Sequence, residues 1–242
     1  RTMDFAKEVI EMPRVLVTGC TPYADNRGVS AMAVCTSRIV QSAVPDAFFV
    51  FWHTFPETYA RKTPTAMVPD KSVRVVSDGT IAKFLLRFPI RFICCSLWRL
   101  MGRRFRKCLM RDSVLREFAE ADIVVSLNYG DTFADTYGFL VFASAVAINA
   151  LAFLSAKPVV FFPQSIGPFR SRISSALARW VLRKTAAVMV RESQSLETVK
   201  RLQIPNDKVF LIPDTAMILE PVERQKALQL LRDEGCTEAI ME

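Results

Sequence analysis

Seven short runs of β-branched and aromatic residues recur along the chain, and segments of helical length separate most of them. The runs occupy residues 15–17, 48–52, 73–76, 123–125, 159–162, 188–190 and 209–212. Strands that are apolar throughout and alternate with helices are typical of a parallel sheet buried on both faces. The pattern therefore predicts an α/β fold, a doubly wound and mainly parallel sheet with helices on both faces. Ligands of such sheets bind beyond the carboxyl ends of the strands, so candidate functional residues are sought there.

The composition is that of a globular chain in a reducing compartment. Of the 242 residues, 51% are hydrophobic and 23% are charged, which allows a sizeable core and excludes a disordered chain. Six cysteines are present without a CxxC spacing, and there is a single histidine. These counts argue against a disulfide framework and leave too few ligands in register for a zinc site. We predict a cytoplasmic protein without a bound metal.

The excess of positive charge is confined to one segment. The net charge is +8, and residues 83–111 contain nine basic and no acidic residues, which leaves 23 basic against 24 acidic residues elsewhere. Aromatic and aliphatic residues are interleaved with the nine cations. We expect Pro89 to divide the segment into two helical pieces.

Two interpretations of residues 83–111 remain open. An interfacial helix would place its apolar face in lipid and its charges near anionic head groups, which predicts an anionic membrane surface as a partner. The alternative is an amphipathic insert packed on the sheet with a solvated basic face. No nucleic-acid recognition motif accompanies the charge, so nucleic acid is not a predicted partner.

The most apolar stretch, residues 139–156, reaches the lower length limit for a membrane span. It contains Asn149 and two serines, and it lies between two predicted strands. We therefore predict a buried crossover helix.

A glycine-bearing loop follows the first predicted strand and leads into a helix. It contains Asn26, Arg27 and Gly28, and backbone N–H groups at such a helix start can hold an anion or a polar ligand. The spacing matches neither GxGxxG nor a P-loop, so an ordinary βα turn remains the alternative.

Polar residues also follow the predicted strand at 123–127. Asn128, Gly130 and Asp131 come first, and Asp135 follows. Together with the phenol of Tyr137, the carboxylates and the amide grouped there can hydrogen-bond the vicinal hydroxyls of a sugar. One carboxylate can act as a general base if burial raises its pKa. The alternative is that Asp131 or Asp135 caps the next helix.

The loop after the next strand, residues 163–168, has a restrained backbone. It places Gln164, Ser165 and Gly167 between two prolines. Such a restraint is useful in a loop that must hold a ligand, so we favour a functional role.

Arg191 follows the predicted strand at 188–190, and Glu192 and Ser193 come directly after it. An arginine at a strand end can clamp a carboxylate or phosphate with two hydrogen bonds. We expect Ser193 to cap the following helix. A salt bridge to a neighbouring acid is the alternative role of Arg191.

These motifs, in this order, resemble the polysaccharide pyruvyl transferase family. The residues that carry the resemblance are Asn26-Arg27-Gly28, Asn128-Tyr129-Gly130-Asp131, Pro163-Gln164-Ser165-Ile166-Gly167-Pro168, Arg191-Glu192-Ser193 and Ile212-Pro213-Asp214-Thr215-Ala216. The resemblance spans about residues 15–219. It implies a pair of Rossmann-type domains in a glycosyltransferase-B-like architecture, of which this chain would supply the N-terminal half.

The resemblance implies an enzyme that moves the enolpyruvyl unit of phosphoenolpyruvate onto a sugar of a cell-surface or secreted glycan as a ketal. Phosphoenolpyruvate is then the donor substrate, the acceptor is a glycan or a lipid-linked sugar, and no cofactor is predicted. A nucleotide-sugar glycosyltransferase of similar architecture is one alternative. A non-catalytic half-domain that binds anionic polymer or membrane is the other.

The predicted site contains two catalytic residues and a wider set of binding residues. Asp131 and Arg191 are the predicted catalytic residues, with Arg191 holding the anionic groups of the donor. Donor and acceptor binding is assigned to Asn26, Arg27, Gly28, Asn128, Gly130, Asp135, Gln164, Ser165, Gly167, Glu192, Ser193 and Asp214. Within the site, Asp131 and Gln164 are expected to bind acceptor hydroxyls.

The predicted domain limits follow the resemblance. Residues 14–219 form a Rossmann-like N-terminal domain that contains the basic apolar insert at about 83–111. Residues 220–242, with a helix over 222–232, are predicted to connect to a second domain beyond Glu242. The cytoplasmic protein would be attached peripherally to a membrane if the insert binds lipid.

Overall fold

The computed structural model describes residues 12–24, 26–53, 73–78, 81–101 and 110–233. Within them the strands are β1 (Arg14–Thr18), β2 (Phe48–His53), β3 (Val73–Ser77), β4 (Ile123–Ser126), β5 (Val159–Gln164), β6 (Ala187–Val190) and β7 (Val209–Leu211). The helices are α1 (Arg27–Ala43), α2 (Ile81–Met101), α3 (Ser113–Glu120), α4 (Phe139–Leu154), α5 (Arg172–Lys184), α6 (Ser193–Arg201) and α7 (Arg224–Asp233). Each apolar run of the sequence forms one of these strands.

The strands form one parallel sheet of seven in the order β3-β2-β1-β4-β5-β6-β7. Val15 of β1 pairs with Phe49 of β2 on one side and with Ile123 of β4 on the other. The direction of winding reverses between β1 and β4, which is the topological switch point where doubly wound sheets bind ligands. The predicted fold class is confirmed.

Helices cover both faces of the sheet, in unequal numbers. α1 packs on one face, where Val29, Met32 and Ala33 are buried with residues of β1, β2 and β4. α2 to α6 pack on the other face, where Phe118 of α3 and Phe142 of α4 are fully buried. The inner strands therefore contact apolar side chains on both sides, which explains why they are apolar throughout.

The apolar stretch at 139–156 forms α4, a buried crossover helix as predicted. Leu151 and Ala152 are fully excluded from solvent, and the Asn149 Nδ2 group donates to the Ala145 carbonyl oxygen at 2.8 Å. Among the described residues, no helix has both the length and the apolarity needed to cross a bilayer.

The basic segment begins with α2, a single helix that runs through Pro89. The predicted division at Pro89 is therefore wrong. Pro89 lies on the exposed side of the helix, where water can solvate the carbonyl group that the proline leaves without an N–H partner. Phe84 and Cys95 anchor the other side in the core before and after the proline. Residues 102–109 of the predicted insert lie outside the described residues.

Arg91 of α2 is buried rather than solvated. Its side chain is 2% exposed, its Nη2 atom lies 2.7 Å from Asp78 Oδ1, and its Nε group donates to Asp112 Oδ2 at 3.1 Å. Asp78 follows β3, and the Asp112 side chain caps α3. This cation of the segment therefore ties α2 to two other elements and does not belong to a basic surface.

The loops after β1 and β4 meet through their backbones at Gly19. Gly19 has a φ of +76°, and its carbonyl oxygen accepts a hydrogen bond from the Tyr129 N–H at 2.6 Å. A Cβ atom at position 19 would lie 2.6 Å from the backbone nitrogen of Asn128, a distance that only glycine avoids. Main-chain contacts therefore set the spacing of these two loops at the switch point.

After β7 the chain passes through a 3₁₀ turn, Thr215–Ile218, and reaches α7. The 3₁₀ turn packs against α1. α7 corresponds to the helix predicted over 222–232. That it leads to a second domain stays a prediction, as do the limits of the N-terminal domain at residues 14–219.

Candidate functional site

The strand-end motifs converge at the carboxyl edge of the sheet, beside the switch point. The loops after β4 and β5 are joined by the Ser165 N–H, which donates to the Gly130 carbonyl oxygen at 2.8 Å. Arg191, after β6, reaches Ser165 and also Asp214, after β7. The motifs that follow β4, β5, β6 and β7 therefore form one connected site.

Arg191 is held by two fixed contacts. Its Nε group donates to Ser165 Oγ at 2.9 Å, and its Nη1 group donates to Asp214 Oδ2 at 2.7 Å. Asp214 is itself oriented, since its Oδ1 atom accepts from the Ala216 N–H at 2.9 Å. The guanidinium has five N–H groups, and these contacts use two of them while 26% of the side chain is exposed. Arg191 is thus a pre-oriented cation with further donors for an anionic ligand.

Gly130 lies directly beside this guanidinium. It has a φ of +89°, and a Cβ atom there would lie 3.5 Å from Arg191 Nη1 and 2.7 Å from the Met32 methyl carbon of α1. The absence of a side chain lets α1, the loop after β4 and Arg191 approach one another. The sequence did not single out Met32, because its spacing marks it only as a core residue of an amphipathic helix.

Replacing Gly130 by alanine is expected to lower the free energy of unfolding by about 1–2 kcal/mol for the left-handed backbone, with an additional loss from the contact with Met32. The same substitution in a Met32→Ala background is the control, because it keeps the backbone conformation of Gly130 and removes the side chain that the new Cβ atom would meet. Urea unfolding measures the loss caused by Gly130→Ala in the two backgrounds. Equal losses in the two backgrounds would contradict close packing at Gly130.

Asp131 forms a hydrogen-bonded pair with Tyr137. The Tyr137 hydroxyl donates to Asp131 Oδ2 at 2.5 Å. This hydrogen bond and the charge of Asp131 raise the pKa of Tyr137, and the charge of Arg191 opposes the shift. The phenol is therefore within electrostatic reach of both predicted catalytic residues. The sequence placed Tyr137 in the polar group after β4, but Tyr137 was not assigned a catalytic or binding role.

Gln164 and Asn128 are buried, and both amides have hydrogen-bond partners within the protein. Gln164 is fully excluded from solvent, and its Nε2 group donates to the Ser126 and Phe162 carbonyl oxygens at 2.7 and 3.1 Å. The Asn128 Nδ2 group donates to Gln164 Oε1 at 2.9 Å and to Ser126 Oγ at 3.1 Å. These hydrogen bonds hold the loops after β4 and β5 together, while ligand binding by Gln164 and Asn128 stays a prediction.

Asp135, in the loop before α4, binds the backbone at the start of α5. Its Oδ2 atom accepts from the Arg170 N–H at 2.7 Å and from the Ser171 N–H at 3.3 Å. It does not cap α4, whose N-cap position is Gly138, so the predicted capping of the next helix by Asp131 or Asp135 is also wrong. Asp135 instead fixes the end of the loop after β5.

The hydrogen bonds of Asp135 give its contribution to stability a pH dependence. Partial burial alone would raise the pKa of Asp135, but hydrogen bonds from the Arg170 N–H, the Ser174 hydroxyl and the Ser171 N–H outweigh it and lower the pKa. The ionised carboxylate therefore stabilises the fold above the pKa of the unfolded chain, about 3.9. This stabilisation is lost as the pH falls through the lower folded-state value.

We expect the Asp135→Asn variant to be less stable than the parent protein at neutral pH, because asparagine cannot supply the charge. The difference between the two proteins should shrink as the pH falls below about 4. Urea unfolding at neutral and acidic pH measures this. A difference that does not change with pH would show that the charge of Asp135 is unimportant.

The loop before α1 acts as a helix cap. Asn26 Oδ1 accepts from the Gly28 N–H at 2.9 Å and from the Val29 N–H at 3.2 Å. Arg27 and Gly28 are exposed in the first turn of α1. The ordinary βα turn thus accounts for Asn26, while ligand binding by Arg27 and Gly28 stays a prediction.

The remaining predicted residues support the loop after β5. The Ile166 N–H donates to Ser195 Oγ at 2.8 Å, and the Ser195 hydroxyl donates to Glu192 Oε1 at 2.8 Å. Ser193 is the first residue of α6 and Glu192 takes the N-cap position, so the prediction that Ser193 caps α6 is wrong. Gly167, with a φ of +77°, donates its N–H to the Phe133 carbonyl oxygen at 2.9 Å.

Metal-ligating residues do not cluster in the part of the chain that the structure describes: no group of three or more His, Cys, Asp or Glu side chains there is placed to hold an ion. The cysteines described there, Cys20, Cys35, Cys94 and Cys95, all carry free thiols.

A family profile, described as polysaccharide pyruvyl transferase, matches residues 26–240. The chain belongs to the polysaccharide pyruvyl transferase family. The match confirms the resemblance drawn from the strand-end motifs.

Curated relatives of the chain include the amylovoran biosynthesis protein AmsJ of Erwinia amylovora, which is 31% identical over 147 residues. The match covers 59% of the chain and 34% of AmsJ, so it spans about a third of that relative's length. Similar solved structures include Arabidopsis thaliana UGT89C1 complexed with quercetin, with a TM-score of 0.47 and 10% identity over 92% of this chain and 56% of that one. Medicago truncatula UGT71G1 complexed with UDP-glucose gives a TM-score of 0.43 and 10% identity over 91% and 57%.

Proposed function

We propose that the protein transfers the enolpyruvyl unit of phosphoenolpyruvate to a sugar, forming a pyruvate ketal and releasing phosphate. The observation that carries the proposal is the position of Arg191, a cation oriented by Ser165 and Asp214 at the edge where doubly wound sheets bind ligands. Membership of the pyruvyl transferase family supports the reaction class.

Arg191 suits the donor because phosphoenolpyruvate presents a carboxylate and a phosphate close together. A planar guanidinium binds either group with two parallel hydrogen bonds, and it keeps its charge at any working pH. Asp214 and Ser165 position Arg191 before the donor arrives, which lowers the entropy lost on binding. In this proposal Asp214 and Ser165 are positioning residues, and Arg191 is the residue that touches the donor.

Ketal formation requires two hydroxyl groups of one sugar to add in turn to C2 of the enolpyruvyl unit. The first addition forms a C–O bond at C2 while C3 gains a proton and becomes a methyl group. The second hydroxyl forms the other C–O bond at C2, phosphate leaves with the C2–O bond electrons, and the hydroxyl proton is released to phosphate or solvent. Each hydroxyl thus loses one proton, and the donor gains one at carbon.

The pair formed by Asp131 and Tyr137 is our candidate for handling these protons. The carboxylate can accept a proton from an acceptor hydroxyl, and the phenol that donates to Oδ2 fixes its orientation. Arg191 lies within electrostatic reach of the Tyr137 hydroxyl, so an anionic donor bound by Arg191 would lie near the acceptor.

The proposed acceptor is a sugar of a polysaccharide or of its lipid-linked precursor, and the proposed compartment is the cytoplasm. The name of AmsJ, a biosynthesis protein for the polysaccharide amylovoran, supports a polysaccharide acceptor. A lipid-linked precursor is presented at the surface of a bilayer, so with that acceptor the enzyme would act as a peripheral membrane protein.

The test uses the protein expressed from its complete reading frame. Incubated with phosphoenolpyruvate and a panel of hexosyl acceptors, it should release phosphate and increase the acceptor mass by one pyruvate less one water. Phosphoenolpyruvate should also raise the melting temperature, and nucleoside diphosphates should not. Stabilisation by nucleoside diphosphates without phosphate release across the panel would overturn the proposal in favour of a nucleotide-sugar glycosyltransferase.

A further inference from the structure

The exposed side of α2 carries a continuous row of aliphatic residues, which we call the α2 stripe. The stripe consists of Leu86, Ile90, Ile93, Leu97 and Leu100. Their spacing alternates between four and three residues, which places them along one side of a helix. Leu86, Ile90, Ile93 and Leu100 are 74%, 60%, 57% and 81% exposed.

The α2 stripe is not part of the core. The opposite side of α2 packs against the sheet and its neighbouring helices through Phe84 and Cys95, and Arg91 is buried on that side by its ion pairs. One interpretation of the sequence was a helix packed on the sheet with a basic face in water. The structure instead exposes an apolar side of α2, which water solvates poorly.

Further apolar residues are exposed at the start of α4. Phe139 and Leu140 are exposed in its first turn, and α4 packs alongside α2. Both helices follow strands of the parallel sheet, so their N-terminal ends lie on the side of its carboxyl edge. The apolar surface therefore reaches the same side of the molecule as Arg191.

The charges of α2 indicate what covers the stripe. α2 contains Lys83, Arg87, Arg91 and Arg99 and no acidic residue. Arg91 is used in the core, Lys83 and Arg87 border the stripe on one side, and the Arg99 Nη1 group donates to the Phe153 carbonyl oxygen of α4 at 3.1 Å. A second copy of the chain docked through the same stripe would bring these cations against their counterparts, and like charges in contact oppose association.

We propose that α2 lies in the surface of an anionic lipid bilayer. The stripe enters the region of the acyl chains, and the cations that border it, Lys83 and Arg87, face the phosphates of the head groups. Apolar insertion and electrostatic attraction then act together, which is what stable attachment of a single interfacial helix requires.

Sedimentation with phosphatidylcholine vesicles, with and without phosphatidylglycerol, tests this on the whole protein. Binding should rise with the phosphatidylglycerol fraction and fall as salt is added, because screening weakens the contribution of the cations. The double variant Leu86→Gln/Ile93→Gln should bind at least about tenfold more weakly, since it removes two exposed apolar residues of the stripe. Both positions are exposed, and circular dichroism checks that α2 remains folded.

Ile173→Gln is the matched control, because Ile173 is an exposed residue of α5, outside the stripe. It should bind anionic vesicles as the parent protein does. Equal binding to neutral and anionic vesicles would overturn the proposal, as would no binding at all. Binding that Leu86→Gln/Ile93→Gln leaves unchanged would also overturn it. The result does not depend on transferase activity.

Discussion

Replacing Arg191 by alanine is expected to weaken the binding of phosphoenolpyruvate by about 2–4 kcal/mol, or roughly 30- to 1,000-fold. The substitution removes the cation that would pair with the donor and leaves that anion partly desolvated. Asp214 and Ser165 lose a partner at the exposed edge of the sheet, so the fold should be largely retained. Calorimetric titration with phosphoenolpyruvate measures the affinity, and a melting curve measures the stability.

Two further variants separate the roles of Arg191. Arg191→Lys keeps the charge without the bidentate geometry and should lie between the parent protein and the alanine variant. Arg201→Ala removes an exposed arginine of α6 that pairs with Glu197 and should leave donor affinity unchanged. If Arg191→Ala instead loses thermal stability while its folded fraction binds donor normally, Arg191 serves only as a salt-bridge residue.

Replacing Arg91 by alanine is expected to lower the free energy of unfolding by about 3–5 kcal/mol, a large part of the stability of a domain. The loss arises because the Asp78 side chain is fully buried and would be left without its ion-pair partner. The variant also separates α2 from Asp112, which caps α3. Urea denaturation monitored by circular dichroism measures the change.

Arg87→Ala is the control on the same helix, because Arg87 is exposed, and it should change the stability by less than about 0.5 kcal/mol. The double variant Arg91→Met/Asp78→Asn removes both buried charges and should be more stable than Arg91→Ala. If the Arg91 and Arg87 alanine variants are equally stable, the buried ion pair is not a structural requirement.

The sequence predicted the sheet well because burial on both faces imposes a composition that is visible in each strand. It also located Arg191 and Asp214, since the rule that ligands bind beyond strand ends depends only on where the strands stop. The buried helix α4 followed from the same reasoning. In each of these cases a local pattern was sufficient.

The sequence did not reveal the surroundings of polar groups whose partners lie in distant parts of the chain. Gln164 follows a strand as a ligand-binding residue would, but its partners include Asn128, 36 residues earlier. Arg91 belongs to a segment without acidic residues, and both carboxylates that neutralise it lie just outside that segment. Neither burial can be derived from spacing, because both depend on how separate elements pack.

The edge strand β7 has only three residues, yet it precedes the carboxylate that orients Arg191. The Ile212 N–H still donates to the Val190 carbonyl oxygen at 2.9 Å, so the backbone pairing continues one residue beyond the strand. Short strands at a sheet margin fray first. Each fraying event would release Asp214 and leave Arg191 held by Ser165 alone of these two contacts. Binding of the donor at Arg191 and pairing of β7 with β6 are therefore thermodynamically linked. Hydrogen exchange at the Ile212 amide should slow when phosphoenolpyruvate is bound.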